Sequence, residues 1–197
     1  MDAKILKEKC REFREHEGRA SFYDMALEIV DQYPLQASVI ILATWNISRF
    51  RFMVSNSENI ANFVKAMDKC KPLFEKIKNF NFQSTNFDEI KEIVEYIYMI
   101  LSAVKGVEYT GASKVMHLLN RNLFVMWDGY IRDEYEYGDA GEDYVDFLKQ
   151  MQEKFKDIEW DMPDKSFTKV IDEYNYVTIS LPELEKNRKK RKTHRSL

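Results

Sequence analysis

Residues able to do chemistry crowd into one stretch, Lys105 to Tyr135 (KGVEYTGASKVMHLLNRNLFVMWDGYIRDEY), which carries Lys114, His117, Trp127 and Asp128. Five of the six glycines lie between Gly106 and Gly141, so the backbone there needs unusual dihedrals or a close approach to something else. His117 has two readings, acid–base work near neutral pH or a packed or capping role on a helix. Asp128 precedes a helical pattern and can satisfy its free N–H groups whether or not it also carries chemistry.

Missing motifs narrow the options. The chain has no glycine-rich loop ending in Gly-Lys-Ser/Thr and no GxGxxG, so no nucleotide cofactor is expected. The histidines, His16, His117 and His194, are scattered, and Cys10 and Cys70 lie far apart, so neither a metal cluster nor a redox pair is expected. The acidic run RDEYEYGDAGEDY, Arg132 to Tyr144, lacks calcium-loop spacing and reads as a solvated turn.

The elements that must position these residues read as helices. Lys4 to His16 spaces Ile5, Leu6, Lys9 and Phe13 by three and four, and Gly18 is a plausible end. A second helix opens at Ser21, with Asp24 three residues on, and closes at Tyr33–Pro34. Leu35 to Phe52 is apolar on most faces, as for one helix at the centre of the domain, and ends in Asn46, Arg49 and Arg51. A longer helix opens at Ser57, and Pro72 is expected to kink or divide it. Asn86 to Val104 repeats the pattern. Then come a helix from Thr110 or Gly111 to Leu119, a short apolar run from Leu123, a helix capped by Asp128, and helices over 143–155 and 166–174. Tyr176 to Leu181 is β-rich but too isolated for a sheet.

The expected fold is therefore mainly α, a multi-helix single domain over residues 1–182, with two helical lobes around a cleft as a possible arrangement. Apolar residues at 45% supply enough material for a packed core. The last twelve residues carry seven Lys or Arg and no acid, which leaves 23 basic against 33 acidic side chains before them, a body of about −10. Residues 183–197 are accordingly expected to be a disordered basic tail, used as a nucleic-acid tether or for solubility. The longest uncharged apolar-rich run, Tyr33 to Ser48, is too short and polar for a bilayer, and the charged N-terminus lacks a signal-peptide block. No membrane partner is expected, and the cytoplasm is the default location.

The segment from Lys105 resembles the helix-hairpin-helix DNA glycosylase superfamily, and more closely proteins of 8-oxoguanine-glycosylase fold. Gly106 and Gly111 sit near the expected glycine turn, Ala112 to Leu119 match the second helix, LFVMW matches the apolar loop, and Asp128 is the aspartate that follows. IILATWNISRFR is similar to the buried helix that precedes the substrate pocket. The resemblance implies DNA as partner and excision or recognition of a flipped base, with phosphate held at Gly106 and Gly111. It implies catalysis by Asp128, stabilising positive charge on the sugar, with Lys114 as Schiff-base nucleophile. It also implies a substrate surface drawn from Trp45, Arg49, Ser113, His117 and Trp127. Four residues separate the two glycines, where the superfamily has one, and alignment on Gly111 puts Ser113 at the lysine position. A non-catalytic helical module binding nucleic acid or protein is the alternative.

Overall fold

Three- and four-residue apolar spacing becomes eleven α-helices and one π-helical turn in a computed structural model that describes residues 2–160 and 164–194, the last four as backbone. They are α1 (Ala3–His16), α2 (Ala20–Ile29), α3 (Pro34–Trp45), α4 (Ile47–Val54), α5 (Ser57–Ile77), α6 (Phe87–Ser102), α7 (Glu108–Leu119), α8 (Gly129–Glu134), α9 (Gly141–Phe155), α10 (Phe167–Asn175), the π turn Tyr176–Ser180 and α11 (Leu181–His194). The protein is mainly α, with no strand among the described residues.

α6 is the axis. Phe87, Ile90, Val94, Ile97, Tyr98 and Leu101 recur every three or four residues and are buried, so one stripe meets α5, α7 and α9. α7 lies between α6 and α3 and is buried on most faces. A smaller satellite core of Tyr23, Ala26, Ala37, Ile41 and Leu118 joins α2 and α3 to α7.

Four local expectations change. The central apolar run breaks at Asn46, whose side chain donates to the carbonyls of Gly106 (3.2 Å) and Val107 (2.9 Å) and so holds the α6–α7 turn. α5 passes through Pro72 undivided, with Pro72 and Asp68, whose carbonyl the proline cannot bond, both on the exposed face of the helix. α2 begins after Arg19, with Ser21 inside the helix and no side-chain cap. Tyr176 to Ser180 is a π turn because Val177 and Ser180 are buried in continuation of α10, and tertiary packing overrides β propensity.

The tail also departs from expectation. Residues 183–194 are not irregular but continue the π turn as α11, and 195–197 lie outside the described residues. The packed turn supplies the costly helix nucleus, and Glu, Lys and Arg propagate it well. Among the described residues, no helix is long and apolar enough to cross a membrane.

Candidate functional site

The segment Leu123–Trp127 is fully buried yet mostly irregular, so its peptide groups need partners from elsewhere. α7 supplies two of them one turn apart. Ser113 Oγ donates to Trp127 O at 3.1 Å and receives the Trp127 N–H at 3.3 Å, while His117 Nδ1 lies 2.7 Å from Phe124 O. Tyr144 donates its hydroxyl to Val125 O at 2.9 Å. A carbonyl only accepts, so His117 Nδ1 carries the proton and Nε2 accepts the Tyr23 hydroxyl at 2.8 Å.

Burial pushes His117 down to about 3, with the Phe124 carbonyl opposing. The imidazole is therefore neutral in the fold, and the unfolded chain binds the extra proton below the ordinary value of 6.5. His117's contribution to stability is complete above that value and is lost as pH falls toward 3. Between pH 6 and 4.5 the parent protein should lose stability by roughly 1.4 kcal/mol per pH unit more than His117→Gln. Urea unfolding at several pH values measures this, and equal slopes would mean that His117 is not the proton acceptor.

With the loop held this way, α8 begins beside the ends of α3 and α7. A cleft of about 430 Å³ opens there, a volume within the range of small-molecule sites. Trp45, Arg49, Lys114, Trp127 and Asp128 line it, whereas Gly106, Gly111, Ser113 and His117 do not. The two glycines face the protein instead. Gly106 has φ +96° and lies against the Met53 backbone, and Gly111 lies against Asn46 and Leu42. The N–H groups of Val107 and Glu108 in that turn donate to Val104 O, so they are already used within the turn expected to bind phosphate.

Asp128 caps α8, its Oδ1 accepting the Ile131 N–H at 2.9 Å. Lys114 reaches the C-terminus of α3, donating to Trp45 O at 2.5 Å, and Arg19 donates to the adjacent Thr44 O at 2.8 Å. Two cations thus sit at the negative end of the α3 dipole. Burial depresses the Lys114 ammonium, and the nearby carboxylates of Asp128 and Asp172 only partly offset this. Its amine is therefore easier to deprotonate than that of a surface lysine.

Other lining residues escaped notice in the sequence. Arg19 donates to both oxygens of buried Glu17, at 2.7 and 2.8 Å, and Tyr176 adds its hydroxyl at 3.3 Å. Burial works against the Glu17 charge, but Arg19 outweighs it and holds the carboxyl below its usual range. Arg49 pairs with Glu108 at 3.0 Å on the rim, so neither charge is unmatched. Asp172 is matched by Lys169 at 2.6 Å and Asp133 by Arg132 at 3.8 Å, so Lys114 shares the cleft with one further carboxylate, Asp128. The cleft thus has no surplus of cations to hold phosphate, and Asp128 is the carboxylate placed to answer developing positive charge.

Trp127 is core as well as wall, packed on Tyr98, Tyr144 and Phe147 with centroids 5.1–6.0 Å apart. Trp45 stacks on Tyr23 at 5.5 Å. The thiols of Cys10 and Cys70 are both pushed up to about 12, mainly by burial. Among the described residues no group of His, Cys, Asp and Glu could hold a metal ion.

Fold and cleft together define an all-helical protein with a buried lysine and a helix-capping aspartate in one site bordered by aromatic residues. Comparison with protein-family models, curated proteins and solved structures found no match.

Proposed function

We propose that the protein is glycosylase-like and acts on a flipped base in DNA, with Lys114 as nucleophile and Asp128 as the carboxylate that stabilises the sugar. The observation that supports this is the convergence of a buried lysine of depressed basicity and Asp128 on one cleft bordered by Trp45 and Trp127. The neutral amine attacks C1′ of the nucleotide, and the C1′–N bond breaks with its electron pair leaving on the base, which is then protonated. Asp128 stabilises the positive charge on the sugar as that bond lengthens. As the ring opens at C1′–O4′, the nitrogen lone pair forms the C=N bond and O4′ takes up a proton, so that the two amine protons lost are balanced by those gained by the base and O4′ and an imine remains. Of the two tryptophans Trp45 is the one partly exposed, and its ring suits a planar base taken out of its stack.

A second reading, a binding module without catalysis, is favoured by the bonds these two residues already make, Lys114 to Trp45 O and Asp128 to the Ile131 N–H. Duplex and single-stranded oligonucleotides carrying 8-oxoguanine, uracil or an abasic site separate the two. The glycosylase reading expects base release that is lost in Asp128→Asn and borohydride trapping that is lost in Lys114→Ala. A folded protein that binds these oligonucleotides but neither releases a base nor traps would be a binding module.

A further inference from the structure

A cleft whose charges are matched leaves open where a nucleic-acid backbone would be held, and the basic helix α11 lies beside it. Leu184 lines the cleft, and Asn187 donates its side-chain amide to the hydroxyl of Tyr130, another lining residue, at 3.0 Å. Leu184 and Asn187 lie one turn apart on the partly buried side of the helix, while Lys186, Arg188, Lys189 and Lys190 are exposed. No acidic residue follows Glu185, and Arg191, Lys192 and Arg195 extend the run in sequence.

The partner class follows from what α11 lacks. Residues 185–194 include no Leu, Ile, Val, Phe or Met, so the helix offers neither an apolar face for a bilayer nor anchors for a protein groove. It offers charge alone. Lys186 is paired with Glu183 at 3.0 Å, and Arg188, Lys189 and Lys190 place three more cations within about one turn of the helix, a local charge density that suits the phosphates of a nucleic acid. Like charges four residues apart, such as Lys186 and Lys190, disfavour the helix by themselves, and a polyanion removes that penalty.

We infer that α11 is a docking surface for the phosphate backbone of a nucleic acid, placed to lay a strand along the rim of the cleft. The position of the strand rests on the reading of the cleft as a base site, whereas the choice of partner rests on α11 itself.

The test is fluorescence anisotropy of labelled duplex and single-stranded oligonucleotides over a salt series, with the full chain and with Arg188→Gln/Lys189→Gln/Lys190→Gln. The parent should bind, and the triple variant should lose at least roughly tenfold in affinity at low salt. For the duplex, the slope of log K against log salt should shrink by about 0.9 per lost contact. The thermal midpoint, unchanged for substitutions on an exposed face, shows that the variant is folded. Equal affinity and slope in parent and variant, or parent binding to phosphatidylserine vesicles but not to oligonucleotides, would overturn the inference. Base release by a parent whose binding ignores the triple substitution would overturn the α11 assignment and spare the glycosylase reading. Binding lost in the variant with no base release from the parent would do the reverse.

Discussion

Lys169→Met is expected to destabilise the fold by about 3–5 kcal/mol at neutral pH, the usual cost of stranding a buried charge partner. Lys169 is only 2% exposed, and its ammonium lies 2.6 Å from Asp172 and 3.4 Å from Glu173. It also sits 4.4–5.2 Å from the ring centres of Phe13, Tyr23 and Trp45, three aromatic rings from α1, α2 and α3. Burial disfavours the ammonium, but Asp172 and Glu173 outweigh burial and hold it above the usual lysine range. Without it Asp172 loses the cation hydrogen-bonded to it, while Glu173 keeps Lys165 at 2.6 Å, which favours the lower end of the range.

The pH window follows from the directions. A raised lysine contributes in full below its ordinary value of 10.5 and loses that contribution as pH rises through the folded value. Glu173, held low by Lys169 and Lys165 against burial, contributes above its ordinary 4.5 and loses that contribution as pH falls through its folded value. Asp172 opposes on the acid side, because burial raises it despite Lys169. Urea unfolding of Lys169→Met, Asp172→Asn and the double variant forms a cycle. The double should cost at least about 1 kcal/mol less than the sum of the singles. Simple additivity would show that packing, not the ion pair, gives Lys169 its effect.

Gly106→Ala is expected to cost about 3 kcal/mol or more and to lower the melting temperature accordingly. A β-carbon there would meet Met53 N at 2.6 Å and Met53 Cα at 2.9 Å, which are backbone atoms of α4 that no rotamer change can move away. The φ of +96° adds a conformational penalty for any L side chain. Gly129→Ala is the control. Gly129 opens α8, a β-carbon there meets nothing within 4 Å, and the change should be neutral or stabilise by up to about 1 kcal/mol. Equal thermal shifts for the two would mean that the α6–α7 turn tolerates a side chain and that its closeness to Met53 is not a constraint.

Both results bear on how the site is held. Lys169 ties α10 to the aromatic rings of α1–α3 while Asp172, next on α10, reaches into the cleft. Gly106 lets the α6–α7 turn lie against α4, and Asn46 then clamps that turn from the α3–α4 break. Lys114 and Asp128 are thus placed by helices distant in sequence.

Local signals were legible directly. The apolar periods of α1, α6 and α9 are properties of neighbouring residues, as are the starts at Asn86, Asp128 and Ser166, whose side chains accept N–H groups two or three positions on. The segment from Lys105 to Asp128 also stood out, since glycines and an aspartate before a helix are local features. Lys169, Asp172 and Glu173 were not legible. Nothing local in KVIDEYN marks them as buried, and it is the arrival of Phe13, Tyr23 and Trp45 that encloses Lys169. Ser113 and His117 read as candidates for a substrate surface for the same reason, because the carbonyls they serve belong to a loop that packs onto α7 only in the folded chain. The sequence by itself determined most of the helical segments and the caps at Asn86, Asp128 and Ser166, since backbone periodicity and capping act over a few residues. The tertiary structure alone decided which polar groups are buried, paired or turned into the cleft, because desolvation and Coulomb interaction depend on neighbours brought from distant parts of the chain.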